Sequence, residues 1–186
     1  MYKLILGIAV ASLMVVNLVD AQKYFTRSGK ITFFSDAPLE DIKAVNNSAT
    51  SVLDAETGRL EFSVLIKGFQ FEKAKMQQDF NENYMESSKY PKSTFRGNIQ
   101  NWGEVDLGKD GTYELQVSGD LTIHGVTQPL ETDAKLTVDG EQLSAHTSFM
   151  VKVADFDIEI PSVVSKKIAE TVEVTVDVDY KPLKQN

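Results

Sequence analysis

The chain has 186 residues, with 27 acidic against 19 Lys and Arg side chains, a formal charge of −8 at pH 7, and no cysteine. The acidic balance argues against a nucleic-acid binder, which concentrates Lys and Arg on one face. The missing cysteines exclude a disulfide scaffold and any thiol chemistry.

Residues 1–21 read as a signal peptide. Lys3 supplies a positive start, Leu4 to Val19 is a nearly unbroken apolar core containing a single Asn17, and Val19-Asp20-Ala21 fits a small-x-small cleavage site before Gln22. The apolar run of 16 residues is short for a bilayer span, which needs about 20, and this counts against the competing reading, a retained anchor. No cysteine follows to carry a lipid. Cleavage removes one base (Lys3) and one acid (Asp20), so the charge of −8 is unchanged. Residues 22–186 suffice for one domain with a sizeable core. The expected product is periplasmic or secreted, with no membrane span after cleavage.

From Gln22 onward the period is two. Ile31 and Phe33 mark a first strand and Ile42 and Ala44 its partner, with Asp36-Ala37-Pro38 turning between them. Asp54 to Gly58 is a turn, and Leu60, Phe62, Val64 and Ile66 share the next face. Between Glu72 and Met85 the spacing changes: Met76, Phe80 and Tyr84 recur every four residues among polar neighbours, the stripe of an amphipathic helix. Lys89-Tyr90-Pro91 ends it.

Strands then resume. Phe95, Gly97 and Ile99 share a face, as do Leu115, Val117, Gly119, Leu121 and Ile123 after the Gly108-Lys109-Asp110-Gly111 turn. His124, Gly125 and Pro129 mark the next turn, and Leu130 to Val138 the next strand. Asp139-Gly140 signals a two-residue hairpin, and Leu143 to Val153 run back. The apolar phase slips near Ala154 and Asp155, which requires a bulge or loop. Val172, Val174, Val176 and Val178 close the series. About eight antiparallel strands with one inserted short helix form either a sandwich or a barrel. Long strands and small inward residues (Gly97, Gly119, Ala134 and Ala145) favour closure into a barrel, which can hold its own side chains or one small ligand, and small inward residues would leave room for the ligand.

No catalytic constellation emerges. His124 and His146 lie on different strands without a metal-ligand spacing. His124 reads as a side chain that hydrogen-bonds the adjoining turn. Asp155, Asp157 and Glu159 lack the glycine and further ligands of a calcium loop and read as a solvated strand face. The serines sit in no Gly-x-Ser-x-Gly elbow. Asn46-Asn47-Ser48 matches a glycosylation sequon. The chain is therefore not expected to be an enzyme or to hold a metal.

The run Gly119-Asp120-Leu121-Thr122-Ile123-His124-Gly125-Val126-Thr127-Gln128-Pro129-Leu130 resembles the signature of the YceI-like, polyisoprenoid-binding family of exported bacterial proteins. Lys89-Tyr90-Pro91-Lys92-Ser93-Thr94-Phe95 is similar to its second hallmark. Asp79-Phe80-Asn81-Glu82-Asn83-Tyr84-Met85 resembles the preceding helix, and Asp155-Phe156-Asp157-Ile158 the segment before the last strand. The likeness covers Leu60 to Tyr180. It departs at the start, where Arg27 to Ser35 contains no histidine and the first hairpin reads as short. The resemblance implies a lipocalin-like antiparallel β-barrel whose interior takes a long isoprenoid, such as a quinone or polyprenyl lipid.

The inward-phase residues Phe62, Val64, Ile66, Phe95, Ile99, Val117, Leu121, Phe149 and Val151, with Met76 and Phe80 from the helix, are the expected ligand contacts. A pyrophosphate head would call on Lys67, Arg96, Lys89 and Lys92. The expected partner is a long-chain apolar small molecule, with a homodimer left open as an assembly. The alternative is an interior packed solid by Phe33, Phe62, Phe95 and Phe149, leaving a surface module that binds another protein.

Overall fold

The computed structural model describes residues 22–183; the expected signal peptide lies outside the described residues. Nine strands follow in order: β1 Lys23–Ser35, β2 Ile42–Asp54, β3 Arg59–Leu65, β4 Gln70–Phe71, β5 Lys92–Ile99, β6 Gly111–Ile123, β7 Val126–Asp139, β8 Gln142–Lys152 and β9 Thr171–Pro182. Each long strand pairs antiparallel with its neighbours, in the order β1-β9-β8-β7-β6-β5-β3-β2. The additional pairing of β1 with β2 closes the sheet. Eight strands thus form a closed antiparallel barrel, and the two-residue β4 is an appendage on β2. Closure removes the exposed edges that an open sheet of this width would present. Among the described residues no helix is long and apolar enough to cross a membrane.

The first hairpin is not short. Its strands have 13 residues each, and the alternation is obscured because polar groups are buried in it. A register shift lies between the Gly29–Ala49 and Ile31–Asn46 pairs. There Asn46 is fully buried; its Nδ2 donates to the Leu65 carbonyl at 2.9 Å, and its Oδ1 accepts from Ser48 N and Oγ, both at 2.8 Å. The sequon asparagine is therefore a satisfied structural amide, not an accessible acceptor for a sugar.

The expected short helix carries its whole stripe, but only its first half is α-helical. An α-helix, α1 (Ala74–Asp79), passes into a π-helical turn over Phe80–Tyr84, where Met85 N donates to the Phe80 carbonyl at 2.8 Å. The hairpin between β7 and β8 turns on Gly140 and Glu141, because Asp139 already pairs with Gln142. Gly140 takes the positive φ of +58° that the first position of a type II′ turn requires. Pro129 does not shape the β6–β7 turn but sits within β7 opposite Asp120. β8 pairs with β7 only from Ala134 onward, so the missing N–H of Pro129 interrupts no ladder on that side. A 3₁₀ turn, Val153–Phe156, accounts for the phase slip, and Gln128 of β7 donates to the Asp155 carbonyl there at 2.8 Å. The Asp155, Asp157, Glu159 series is exposed but is not a strand face: Asp157 is left-handed at φ +54° and caps this turn.

Because the strands alternate in direction, the connections 36–41, 66–91, 124–125 and 153–170 gather at one end, the mouth. Connections 55–58, 100–110 and 140–141 gather at the base. Buried Tyr24, Leu53, Leu136, Val138, Leu143 and Tyr180 pack the base. Trp102 lies on Gly58, where a Cβ would come within 2.6 Å of the indole, and its Nε1 donates to the Ala55 carbonyl at 2.9 Å.

Candidate functional site

Above the packed base, the inward faces of the strands enclose a cavity of about 540 Å³ lined almost wholly by apolar side chains. Its size follows from phase and closure. Every second residue of each strand points inward, and eight strands leave an interior that side chains fill only if those residues are large. Here Ala134 and Ala145 lie on the wall among valines and leucines. Gly97 and Gly119 act differently from the expectation that they leave room. They face each other across β5 and β6, and a Cβ on either would come within 2.3 Å of a backbone carbonyl oxygen of the neighbouring strand. Their role is close approach of the two strands, and the Phe95 ring folds over the space beside Gly97.

The structure brings all eleven sequence-predicted contact residues to the cavity wall: Phe62 and Val64 from β3 with Ile66 just beyond it, Phe95 and Ile99 from β5, Val117 and Leu121 from β6, Phe149 and Val151 from β8, and Met76 and Phe80 from the connector. Phe33, Phe62, Phe95 and Phe149 border the space without filling it, so the interior is not packed solid. Phe33, Phe69 and Phe71 also line the wall, although they were not among the eleven expected contacts. With Phe80 they form an aromatic cluster at the mouth, with ring centroids 4.9 Å (Phe71 to Phe80) to 5.7 Å apart. The signal was the period-two pair Phe69 and Phe71 immediately before the helix; Gln70 and Phe71 form a strand only because Val45 and Ala44 of β2 are there to pair with them.

The charges at the cavity are not those expected. Lys67 donates to Ser88 Oγ, Lys89 lies by Glu86 and over the Tyr90 ring, and Arg96 sits on the outer face opposite Glu61 and Asp120. Neither these three nor Lys92 borders the cavity. The bordering ammonium groups are Lys73, Lys75 and Lys167, with carboxylates Glu40 and Asp79. Lys73 pairs with Glu40 at 2.6 Å and Lys75 with Asp79. The Lys73 hydrogen bond holds the Glu40 carboxyl below its ordinary range, and the same contact raises the Lys73 ammonium. These pairs are solvated, so they orient the rim more than they stabilise it.

Inside the base, Ser51 Oγ and the Tyr180 hydroxyl share a buried hydrogen bond of 2.7 Å. Burial pushes the Tyr180 hydroxyl far up, an effect the Ser51 contact offsets only in part. No group of three or more His, Cys, Asp or Glu side chains suited to a metal occurs among the described residues. His146, on the outer face of β8, pairs with Asp177 at 2.7 Å. His124 does not bond its own turn: it reaches Phe156 and Glu86, on two other segments of the rim.

The model of the YceI-like domain family matches residues 14–180, including the first hairpin that the sequence motifs did not cover. Protein YceI of Escherichia coli O157:H7 is 31% identical over 83 residues, 41% of this chain and 39% of that protein. UPF0312 protein VPA0850 of Vibrio parahaemolyticus is 31% identical over 84 residues, 42% and 41% respectively. The matched stretch thus spans about two fifths of the length of these curated relatives. Among solved structures, a polyisoprenoid binding domain from Saccharophagus degradans, implicated in plant cell wall breakdown, superposes with a TM-score of 0.75 at 13% identity. It covers 88% of this chain and 100% of that one. BcnA of Burkholderia cenocepacia superposes at 0.62 with 16% identity, over 84% and 96%. At these identities the likeness concerns the fold.

Proposed function

The chain belongs to the YceI-like domain family, and from that premise we propose that it is an exported protein that holds one long apolar chain, an isoprenoid such as a quinone or polyprenyl lipid, inside its barrel. The observation that carries this reading is the apolar cavity of about 540 Å³, within the range of roughly 300–1,000 Å³ usual for small-molecule sites. The domain of Saccharophagus degradans that shares the fold is a polyisoprenoid binding domain, which supports the same ligand class here.

The affinity comes from burial. Each methylene removed from water contributes about 0.8 kcal/mol, so a chain of about twenty carbons offers on the order of 15 kcal/mol gross. Association and ordering cost roughly 4–15 kcal/mol. The chain, not the head, must therefore dominate, and discrimination among heads must be loose. The head would sit at the mouth, where Lys73, Lys75, Lys167, Glu40 and Asp79 gather. The protein works by binding and release, in the periplasm or outside the cell, without a catalytic step.

Native mass spectrometry of protein purified from its own host should reveal a bound apolar molecule, released by solvent extraction and identified as a prenyl compound. Protein that is repeatedly empty and takes up no added polyprenyl alcohol or quinone would sink the proposal.

A further inference from the structure

Three non-glycine residues of the described chain have positive φ: Glu86 at 41°, His124 at 52° and Asp157 at 54°. They meet at one point on the mouth. Such backbone is strained for a residue with a Cβ and persists only where its surroundings hold it. His124 and Gly125 form the two-residue turn between β6 and β7, both left-handed. The histidine ring is 10% exposed. Its Nδ1 faces the Phe156 carbonyl at 3.1 Å, one residue before Asp157, and its Nε2 faces the Glu86 carboxylate at 3.0 Å. Tyr90 packs edge-on against it at 4.5 Å. One side chain therefore ties the β6–β7 turn, the connector 66–91 and the segment leading to β9.

Both partners accept. A carbonyl oxygen has no proton to give, and neither has an ionised carboxylate, while a neutral imidazole carries a single N–H. The ring satisfies both contacts only as imidazolium. The charged groups around it are Glu86 and Lys89 on the connector, beside the neutral Tyr90, and Asp155 and Asp157 next to Phe156. Lys89 lies 3.9 Å from Glu86. Met85 of the connector packs with Phe156, Ile158 and Val151, and Tyr84 and Phe80 pack against that cluster. Phe80, Tyr84 and Met85 all line the cavity.

We propose that His124 is a positioning residue for the cavity mouth: as imidazolium it clasps three rim segments, and loss of its second proton frees the connector that carries Phe80, Tyr84 and Met85. The consequence for ligand release rests on the carrier reading above, but the clasp itself can be tested without ligand.

Nitrogen NMR of the His124 ring and hydrogen-exchange protection factors of the Met85, Ser87 and Tyr90 amides, followed from about pH 5.5 to about 8.5, where imidazoles change charge, provide that test. The ring should carry two protons at the acid end, and protection should fall about tenfold as it loses one. In Glu86→Gln the side-chain amide can donate to the Nε2 of a neutral ring, so protection should persist across the range. His124→Asn, which tolerates the left-handed turn, should show low protection at every pH. Equal pH slopes for wild type and Glu86→Gln, or a singly protonated ring at pH 5.5, would overturn the proposal. Dissociation of a fluorescent naphthylamine should follow the same profiles. Failure of that probe to bind would count against the carrier reading, leaving the exchange data to judge the clasp.

Discussion

The base and the mouth of this barrel are built from the same strands with the same alternation, yet one is filled and the other is not. At the base the inward positions carry Tyr24, Leu53, Leu143 and Tyr180, all buried to 5% exposure or less, with Trp102 laid over Gly58. At the mouth the inward positions lead into open space, the aromatic cap of Phe33, Phe71 and Phe80 is only partly buried, and the charges are solvated pairs. Stability should therefore reside at the base and binding at the mouth.

The largest expected effect tests the base. Leu143, 2% exposed, should cost about 3 kcal/mol of stability when cut to alanine, measured by urea unfolding, while probe affinity changes less than about twofold. A comparable loss of affinity would mean that the two ends are one unit. The complementary change fills the cavity. Leu121 lines the wall and is partly buried, so Leu121→Trp should lower affinity for a long-chain probe about hundredfold, roughly 2.7 kcal/mol, with little change in unfolding midpoint. Destabilisation by several kcal/mol instead would mean that the space is tightly packed after all. A smaller effect is expected of Phe80→Ala, which removes one ring from the cap: about tenfold in affinity, near 1.4 kcal/mol, and less than the base variant in stability. An unchanged dissociation rate would detach the aromatic cap from the site.

How much of this contrast was legible depended on the range of the interaction. The alternation of Leu60, Phe62 and Val64, or of the β9 valines, follows from two faces meeting different media, and each strand announces it locally. Nine of the eleven predicted wall residues were readable by phase for that reason, and Met76 and Phe80 by the four-residue spacing of the helix. The first hairpin was not, because Thr26, Asn46 and Ser51 are polar yet buried, satisfied by partners such as Leu65 and Tyr180 that no local pattern announces. The mouth charges were misassigned because their neighbourhood is made by folding: Glu40 and Lys73 are 33 residues apart in sequence. Gly97 and Gly119 were read as spacers for a ligand, although only the β5–β6 register reveals that each makes room for the other's strand.

The smallest effect sharpens the comparison through pH. Burial raises the Tyr180 hydroxyl above its ordinary value at the base, and burial also raises Tyr24 nearby, with Glu141 adding to it. The unfolded chain, in which tyrosine titrates near pH 10, therefore loses its proton first. The stabilisation is whole below about pH 10 and drains away above it, with a limiting slope of about 1.4 kcal/mol per pH unit for one such group. At about pH 10.5 the Tyr180 contribution should have fallen by about 0.8 kcal/mol. Tyr180→Phe removes that titration but leaves the Ser51 hydroxyl unpaired, so its stability at neutral pH should fall by about 1 kcal/mol or more while its alkaline loss is smaller than in wild type. Ser51→Ala combined with Tyr180→Phe should recover the neutral-pH loss, since neither polar partner then remains buried alone. Urea unfolding at about pH 8 and pH 10.5 separates the two terms, and an alkaline loss identical in wild type and Tyr180→Phe would mean that the base is open enough to hydrate its tyrosine, leaving it no drier than the mouth.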